Sequence, residues 1–175
     1  MNLNVNVVIK LIHLKQKLDI PIYLPENNKN YDFILLLNEN LKDIIEDWEK
    51  KCEGCKKDNI PHTKKIEFDM INDYLKFSIQ RCDTNRNVKN NSVIKFYNNL
   101  NSRNFVSPHV NKEKLTYKLK ATLNHIGELN KDHYYCNINL GNEWFIFNDS
   151  VVEKNYLMEY ESDSIYLLLY EKILV

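Results

Sequence analysis

The stretch YKLKATLNHIGELNKDHYYCNINLGNEWFIFNDSVV, residues 117–152, decides the fold of this 175-residue chain. Residues 117–124 alternate between apolar and polar side chains, which is the pattern of a strand with one buried face. After a short connection, a second and aromatic-rich run opens at His133. The pair Gly141-Asn142 then predicts a tight turn into a third strand. The stretch therefore predicts three consecutive strands joined by turns.

The predicted hairpin places two polar side chains next to each other. His133 opens one strand and Asn148 closes the next, with Asp149 directly after it. An amide or carboxylate that accepts from one imidazole nitrogen fixes the tautomer and leaves the other nitrogen free as a general base. These residues predict two members of a catalytic triad, whose nucleophile would come from another element. The alternative is a histidine that is merely packed in the fold.

None of the four cysteines is a good candidate for that nucleophile. Cys136 is three residues after His133 in the same strand, so we expect it on the opposite face. Cys52 and Cys55 follow a predicted helix C-terminus, where the helix dipole disfavours a thiolate. Cys82 lies in a polar segment with nothing else in its favour, and no serine has a nucleophile-elbow context. The sequence predicts that these 175 residues lack the nucleophile.

The cysteines also predict no metal centre. Cys52 and Cys55 form a C-x2-C motif, which is the usual half of a zinc site. A second pair is absent, because Cys82 stands alone and His62 and Cys136 have no ligand spacing. We interpret the motif as an incomplete zinc pair in an unliganded turn, and we predict neither a metal nor another cofactor.

Charge and hydropathy exclude several classes of protein. The 24 basic and 24 acidic side chains cancel at a pI of about 7.0, which argues against nucleic acid or an acidic membrane as a partner. The N-terminus has no basic region before a long apolar core, and the longest apolar run is far below the ~20 residues of a membrane span. We therefore predict free thiols in a reducing compartment, the cytoplasm or the nucleus.

One helix is predicted after Asn40. Apolar residues recur there at the spacing i, i+3, i+4 and i+7, namely at Leu41, Ile44, Ile45 and Trp48. Asn40 and Asp43 form a predicted cap, and Gly54 marks the predicted end.

The other segments predict short strands. They cover residues 5–11, 33–37, 66–80 in two pieces, 93–97 and 165–170, the last buried on both faces. The first of these is open to an alternative, because residues 9–18 would also tolerate a helix. Residues 81–91 are polar and predict a loop or a hairpin tip. Many short strands, one helix and no βαβ alternation predict an α+β fold with a mainly antiparallel sheet.

Four segments in the second half of the chain form a recognisable pattern, namely LNHIG at 123–127, DHYY at 132–135, WFIFNDSVV at 144–152 and YLLLY at 166–170. They closely resemble the His box and the C-terminal end of the catalytic domain of the ubiquitin-specific proteases, which are ubiquitin carboxyl-terminal hydrolases. The C-x2-C motif and NDYLKFSIQR at 72–81 resemble the fingers cysteines and a strand that ends in an arginine. The resemblance is specific over 117–172 and weaker, but in the same order, over 31–100.

The resemblance implies a papain-like cysteine protease fold, of which this chain is the sheet-containing part. It implies one partial domain over 1–175, in which 31–100 is fingers- or palm-like and 101–175 is the His-box palm sheet. Residues 1–30 match nothing and stay unassigned.

The resemblance also implies a deubiquitinase that cleaves after the C-terminal glycine of ubiquitin. His133 would be the general base and Asn148 its orienting residue, with Asp149 assisting or substituting. The residues that would line the channel for the ubiquitin tail are His125, Gly127 and Tyr134. The implied partners are ubiquitin or ubiquitinated proteins and a second chain with the missing nucleophile.

Three departures from the family pattern shape the prediction. The segment with the nucleophilic cysteine, the Cys box, is absent, as is the second fingers cysteine pair. Asp132 replaces the glycine that usually precedes the histidine. The chain is then either the C-terminal part of a deubiquitinase or a non-catalytic relative that binds ubiquitin or acts as a scaffold. Retention of both His133 and Asn148 favours the deubiquitinase.

Overall fold

The fold consists mainly of strands. The computed structural model describes residues 8–13, 19–25, 29–42, 44–48, 56, 60–68, 72–83, 88–111, 115–127 and 133–173. The elements before residue 90 are β1 (Val8–His13), β2 (Asp19–Tyr23), β3 (Asn30–Asp32), α1 (Phe33–Leu41), β4 (Ile44–Trp48), β5 (Ile60–Glu67), β6 (Tyr74–Gln80), β7 (Cys82–Asp83) and β8 (Val88–Lys89). Those after it are β9 (Val93–Lys95), β10 (Asn99–Asn101), β11 (Thr116–Ile126), β12 (His133–Leu140), β13 (Glu143–Asn148), β14 (Val151–Asn155), β15 (Glu161–Ser162) and β16 (Ile165–Lys172).

One large sheet organises the molecule. Its eight strands follow the order β14-β13-β12-β11-β16-β6-β2, and β10 pairs with β11. All hydrogen-bonded strand pairs in this sheet are antiparallel, except the parallel pair β2–β6. The smaller sheets are β1-β5-β4, β15-β9-β3 and β7-β8. The predicted α+β class with a mainly antiparallel sheet is confirmed.

The stretch 117–152 forms the predicted strands β11, β12 and β13. Gly141 and Asn142 have φ values of 59° and 74°, the left-handed pair that a two-residue type I′ hairpin requires. This turn fixes the register in which Leu140 pairs with Glu143. The start of β12 and the end of β13 therefore lie at the same end of the hairpin.

The two faces of the large sheet differ in their packing. We call core face the one whose successive cross-strand partners are Phe77, Leu168, Thr122, Asn137 and Ile146. Helix α1 packs here, with the Phe33 ring 5.1 Å from the Phe77 ring. We call outer face the opposite one, whose successive partners are Leu167, Leu123, Cys136, Phe147 and Val152.

The helix lies earlier in the chain than predicted. The run FILLL at 33–37, predicted as a strand, is the start of α1. Phe33, Leu36 and Leu37 are buried at helical spacing, whereas Leu35 is 67% exposed. The predicted Asn40 cap is also wrong, because the N-cap is Asp32, whose Oδ1 accepts from the amides of Ile34 at 2.9 Å and Leu35 at 3.2 Å.

Residues 44–48, predicted as helical, form the strand β4. The segment is too short for apolar spacing to decide between helix and strand, and antiparallel pairing from Ile44–Lys64 to Trp48–Ile60 decides for the strand. Cys52 and Cys55 therefore fall between β4 and β5, outside the described residues. The helix-dipole argument against a thiolate at these cysteines is wrong.

The other strand predictions are largely confirmed. β5 and β6 account for 66–80, and β7-β8 is the hairpin predicted within 81–91. β16 is buried on the core face only, because Leu167 and Leu169 on the outer face are half-buried. Among the described residues, no helix is long and apolar enough to cross a membrane.

Candidate active site at the His133 hairpin

The hairpin brings the predicted imidazole and amide together. His133 opens β12 and Asn148 closes β13, and His133 Nε2 lies 2.6 Å from Asn148 Oδ1. An amide oxygen can only accept, so Nε2 carries the proton in this arrangement. Nδ1 of the neutral ring is then left with its lone pair, as a general base requires.

Asp149 occupies a turn beside this pair. Asn148 pairs with Val151, so Asp149 and Ser150 form the two-residue connection between β13 and β14. Asp149 has a φ of 50°, a left-handed conformation that Asp tolerates better than most residues. Asp149 thus lies in the turn directly after β13, which ends at Asn148. Its assistance to the imidazole stays a prediction.

A concave surface borders the pair on the core face. His133 shares a face with Asn137, four positions later in β12. The cavity next to the pair has a volume of about 380 Å³ and is lined by Ile126, Tyr135, Ile146, Asn148, Val151 and Glu153. Among the described residues that line the cavity, Glu153 is the only charged one, and Ile126, Ile146 and Val151 would offer an incoming element apolar side chains beside the imidazole.

An aromatic cluster lies on the outer face, one residue pair away. His125 pairs with Tyr134, next to the pair Ile126–His133. The His125 ring is 4.7 Å from the Tyr134 ring and 4.9 Å from the Tyr166 ring. His125 is buried, whereas Tyr134 is 45% exposed. The cluster therefore presents an accessible aromatic surface at the end of β11 and β12.

Gly127 begins the connection between these strands. Its φ of 114° lies in a region that only glycine adopts readily. Its carbonyl accepts a hydrogen bond from Lys89 Nζ at 3.1 Å. The three residues predicted to line the tail channel, His125, Gly127 and Tyr134, thus lie together at one end of the sheet.

A buried arginine forms hydrogen bonds to the backbone of two other segments near the site. Arg81 is 1% exposed. Its Nε donates to Ile165 O at 2.7 Å, and Nη1 donates to the carbonyls of Asn90 at 2.9 Å and Ser92 at 2.7 Å. Burial lowers the pKa of Arg81 to about 10, against the opposing effects of Asp163 and Tyr166. The guanidinium therefore stays charged at neutral pH and serves as a multiple backbone donor.

Comparison with known proteins identifies the family. The family model described as ubiquitin carboxyl-terminal hydrolase matches residues 26–170. This chain belongs to the ubiquitin carboxyl-terminal hydrolase family. The resemblance that the sequence predicts is confirmed.

Individual ubiquitin carboxyl-terminal hydrolases match most of the chain. Hydrolase 42 of Homo sapiens is 30% identical over 122 residues, covering 69% of this chain and 9% of that protein. Hydrolase 8 of Saccharomyces cerevisiae is 26% identical over 169 residues, covering 87% of this chain and 34% of that protein. Hydrolase 9 of Arabidopsis thaliana is 29% identical over 127 residues, covering 70% of this chain and 14% of that protein. The chain thus spans at most 34% of these relatives.

Solved structures confirm the papain-like fold. The SAGA Ubp8/Sgf11/Sus1/Sgf73 DUB module bound to ubiquitin aldehyde matches with a TM-score of 0.73 at 22% identity, covering 90% of this chain and 36% of that one. The yeast SAGA DUB module with a mutant Sgf73 matches with a TM-score of 0.74 at 25% identity, covering 90% of this chain and 35% of that one.

The described cysteines, Cys82 and Cys136, lie on the side of the outer face, whereas His133 shares the core face with Asn137. Cys136 is an odd number of residues from His133, and its partner Phe147 lies on the outer face. Burial raises the pKa of the Cys136 thiol. Cys82 Sγ is 3.1 Å from the hydroxyl of Tyr166, on the side of the aromatic cluster. Cys52, Cys55 and Asp132 lie outside the described residues.

Two residues at the site escape the sequence reasoning. Tyr166 is the second residue of β16 and begins the segment YLLLY, where the sequence does not distinguish its ring from the rest of an apolar run. Lys89 lies in the polar segment 81–91, where no local signal distinguishes it from a surface lysine. Among the described residues, no group of three or more His, Cys, Asp or Glu side chains is placed to hold a metal.

Proposed function

We propose that this chain is the histidine-bearing part of a cysteine-type deubiquitinase, which hydrolyses the bond after the C-terminal glycine of ubiquitin. The observation that carries the proposal is the contact of 2.6 Å between His133 Nε2 and Asn148 Oδ1. It orients an imidazole with a free Nδ1 in a chain of this family. Cysteine hydrolases require such a base to form and stabilise the thiolate.

Each side chain then has a defined role. Nδ1 of His133 accepts the proton of the nucleophilic thiol, and Asn148 stabilises the imidazolium that forms. The thiolate attacks the carbonyl of the ubiquitin C-terminal glycine, and the imidazolium returns its proton to the leaving amine. In the second half of the reaction, Nδ1 takes a proton from the water that hydrolyses the thioester and releases ubiquitin with a free carboxylate.

The thiol is proposed to come from another segment or from a second chain that carries the Cys box. The positions of Cys82 and Cys136 on the side of the outer face support this view, because His133 projects from the core face. The cavity whose lining includes Ile126 and Val151 gives the incoming element a surface beside the imidazole.

The substrate proposal is ubiquitin or a ubiquitinated protein, held by its C-terminal tail. The tail would lie against His125, Gly127 and Tyr134, together with Tyr166. The pairs 125–134 and 126–133 are adjacent in the register, at a spacing of about 3.3 Å per residue. A tail bound at the aromatic cluster therefore places its last peptide bond at the end of the sheet, next to His133.

The same proposal includes the parts of the catalytic domain that this chain forms and the cellular compartment of the protein. Residues 31–100 would be the fingers- or palm-like part, and residues 101–175 would be the His-box palm sheet. The free thiols of Cys82 and Cys136 fit a reducing compartment, the cytoplasm or the nucleus.

The deciding experiment combines the chain with a polypeptide that carries the Cys-box part of a family member and measures hydrolysis of a fluorogenic ubiquitin amide. We expect activity only in the mixture. His133→Gln should lower the rate at least about 100-fold, since a general base contributes 10²–10⁴-fold. His109→Gln, at an exposed histidine, is the matched control and should keep the rate.

Two results would contradict the proposal. Undiminished hydrolysis by His133→Gln would exclude it as the base. Ubiquitin binding without hydrolysis, whichever Cys-box polypeptide is added, would identify a non-catalytic ubiquitin-binding relative instead.

A further inference from the structure

The hairpin β7-β8 presents a fixed lysine to the end of β11. Lys89 pairs with Cys82 in this hairpin. The next residue, Asn90, donates its amide to Arg81 O at 2.7 Å and accepts from Arg81 Nη1 at 2.9 Å. Because Arg81 is buried, the backbone that carries Lys89 is tied to the core of the molecule.

The ammonium group of Lys89 bridges two backbone carbonyls. Nζ donates to His125 O at 3.0 Å and to Gly127 O at 3.1 Å. The same Nζ lies 6.0 Å from the centre of the Tyr166 ring, within cation–π range. Hydrogen bonds from a charged donor are roughly twice as strong as those between neutral groups.

The bridged carbonyls lie where the β11–β16 ladder ends. The amide of His125 donates to Ser164 O at 2.8 Å, so the amide and carbonyl of His125 face the side of β16. β16 begins at Ile165, and its register with β11 ends at Asn124. Lys89 therefore supplies its two hydrogen bonds just beyond the last paired residues of this ladder.

The bridge spans the residue that pairs with the proposed base. Ile126 lies between the two bridged carbonyls and is the partner of His133 in the β11–β12 register. The bridge also holds Gly127, where the chain leaves the strand with a φ of 114°. A displacement of this end of β11 would move both the His133 backbone and the His125 ring.

We propose that Lys89 is a positioning residue, which clamps the end of β11 so that His133 stays aligned with Asn148 and the cluster of His125, Tyr134 and Tyr166 stays shaped for the ubiquitin tail. The clamp itself acts through the backbone carbonyls of His125 and Gly127. Its functional consequence rests on the proposed deubiquitinase function.

The chain provides a matched control for this clamp. Lys118 Nζ donates to Asn142 Oδ1 at 2.6 Å, at the opposite end of the β12–β13 hairpin. Lys118→Met therefore removes a comparable lysine tether far from His133. Lys89→Met removes the clamp at a similar side-chain length, and Lys89→Arg keeps a cationic donor.

The first measurement is amide hydrogen exchange of the chain alone. Lys89→Met should speed exchange at the His125 amide at least tenfold, Lys89→Arg should restore most of the protection, and Lys118→Met should leave this amide unchanged. Unchanged exchange in Lys89→Met would overturn the clamp. Lys89→Gln, which keeps one amide donor, replaces the methionine variant if that variant does not fold.

The second measurement compares binding of intact ubiquitin with binding of ubiquitin lacking its C-terminal tail. Lys89→Met should weaken binding of intact ubiquitin at least fivefold and leave the tail-less form unaffected, whereas Lys118→Met should change neither. Equal losses for both forms, or no loss, would overturn the role at the tail. A wild-type chain that binds no ubiquitin would count against the proposed function, and the exchange result would still decide the clamp.

Discussion

The amide oxygen of Asn148 lies 2.6 Å from Nε2 of the His133 ring. This contact is exposed to solvent, and in the proposed deubiquitinase it would select one of the two imidazole tautomers. This pair could be predicted from the sequence, because Gly141 and Asn142 encode the turn and the turn fixes the register. Lys89 could not be predicted, because its partners are 36 and 38 residues away and are backbone atoms that any sequence would supply.

Removing the amide should redistribute the imidazole proton. In Asn148→Ala, the ratio of the Nε2–H to the Nδ1–H tautomer of His133 should fall by roughly 2- to 10-fold, the equivalent of a net hydrogen bond of about 0.5–1.5 kcal/mol. Ring ¹⁵N chemical shifts of the isolated chain measure this ratio, and the His109 ring is the internal reference. An unchanged ratio would mean that Asn148 does not set the tautomer.

Removing the Arg81 side chain should be costly. Arg81→Met removes the charged donor from the carbonyls of Asn90, Ser92 and Ile165, and because each lost hydrogen bond to a buried acceptor costs about 1–3 kcal/mol, we expect a loss of about 3 kcal/mol or more in the free energy of unfolding. Arg103→Met, at an exposed position, should change stability by less than about 0.5 kcal/mol. Urea denaturation of both variants tests this, and similar midpoints would show that the buried hydrogen bonds contribute little.

Among the elements, α1 is one whose type could not be predicted from the periodicity of apolar residues. Five consecutive apolar residues at 33–37 fit a buried strand and a helix equally well. The deciding signal is Asp32, whose carboxylate caps the helix and also accepts a hydrogen bond from the hydroxyl of Tyr97. The capping bonds to Ile34 and Leu35 are local, but Tyr97 is 65 residues away, so only the tertiary structure reveals this additional support of the cap.

The cap should make stability depend on pH. Burial alone would raise the pKa of Asp32, but the hydrogen bonds from Tyr97, Leu35 and Ile34 and the charge of Lys95 lower it below its ordinary value of 3.8. A lowered folded-state pKa means that this stabilisation is present above about pH 4 and is lost as the pH falls through the folded pKa. Asp32→Asn, which keeps a capping oxygen, should flatten the unfolding free energy in that acidic range. An identical pH profile would contradict this assignment.

The turn of the β12–β13 hairpin should tolerate only residues that accept a left-handed backbone. A Cβ at Gly141 would meet no atom within 4 Å, so any cost of substitution is conformational. Gly141→Val should lower the free energy of unfolding by about 1–2 kcal/mol, and Gly141→Asn by clearly less. Thermal denaturation compares the two, and equal losses would show that the backbone conformation is not the cause.

At the scale of the whole molecule, the two faces of the large sheet would have different functions in the proposed enzyme. The core face carries His133 and the adjoining cavity, and the outer face carries His125 and Tyr134. A substrate tail and a nucleophile can therefore approach the same end of the sheet from different sides. Strand alternation makes this division predictable once the register is known, but the meeting of β6, β7 and β16 around the site depends on long-range packing that local patterns do not encode.

Neighbouring residues of β14 can test which side receives the nucleophile-bearing element. Val151 and Val152 are 50% and 54% exposed, so aspartate at either position should change folding stability little. Val151 lines the cavity beside Asn148, whereas Val152 pairs with Phe147 on the outer face. Val151→Asp should weaken binding of a Cys-box polypeptide at least tenfold, because a carboxylate would be buried without a partner, and Val152→Asp should not. Titration calorimetry without ubiquitin measures both constants, and the reverse order of effects would place the docking surface on the outer face.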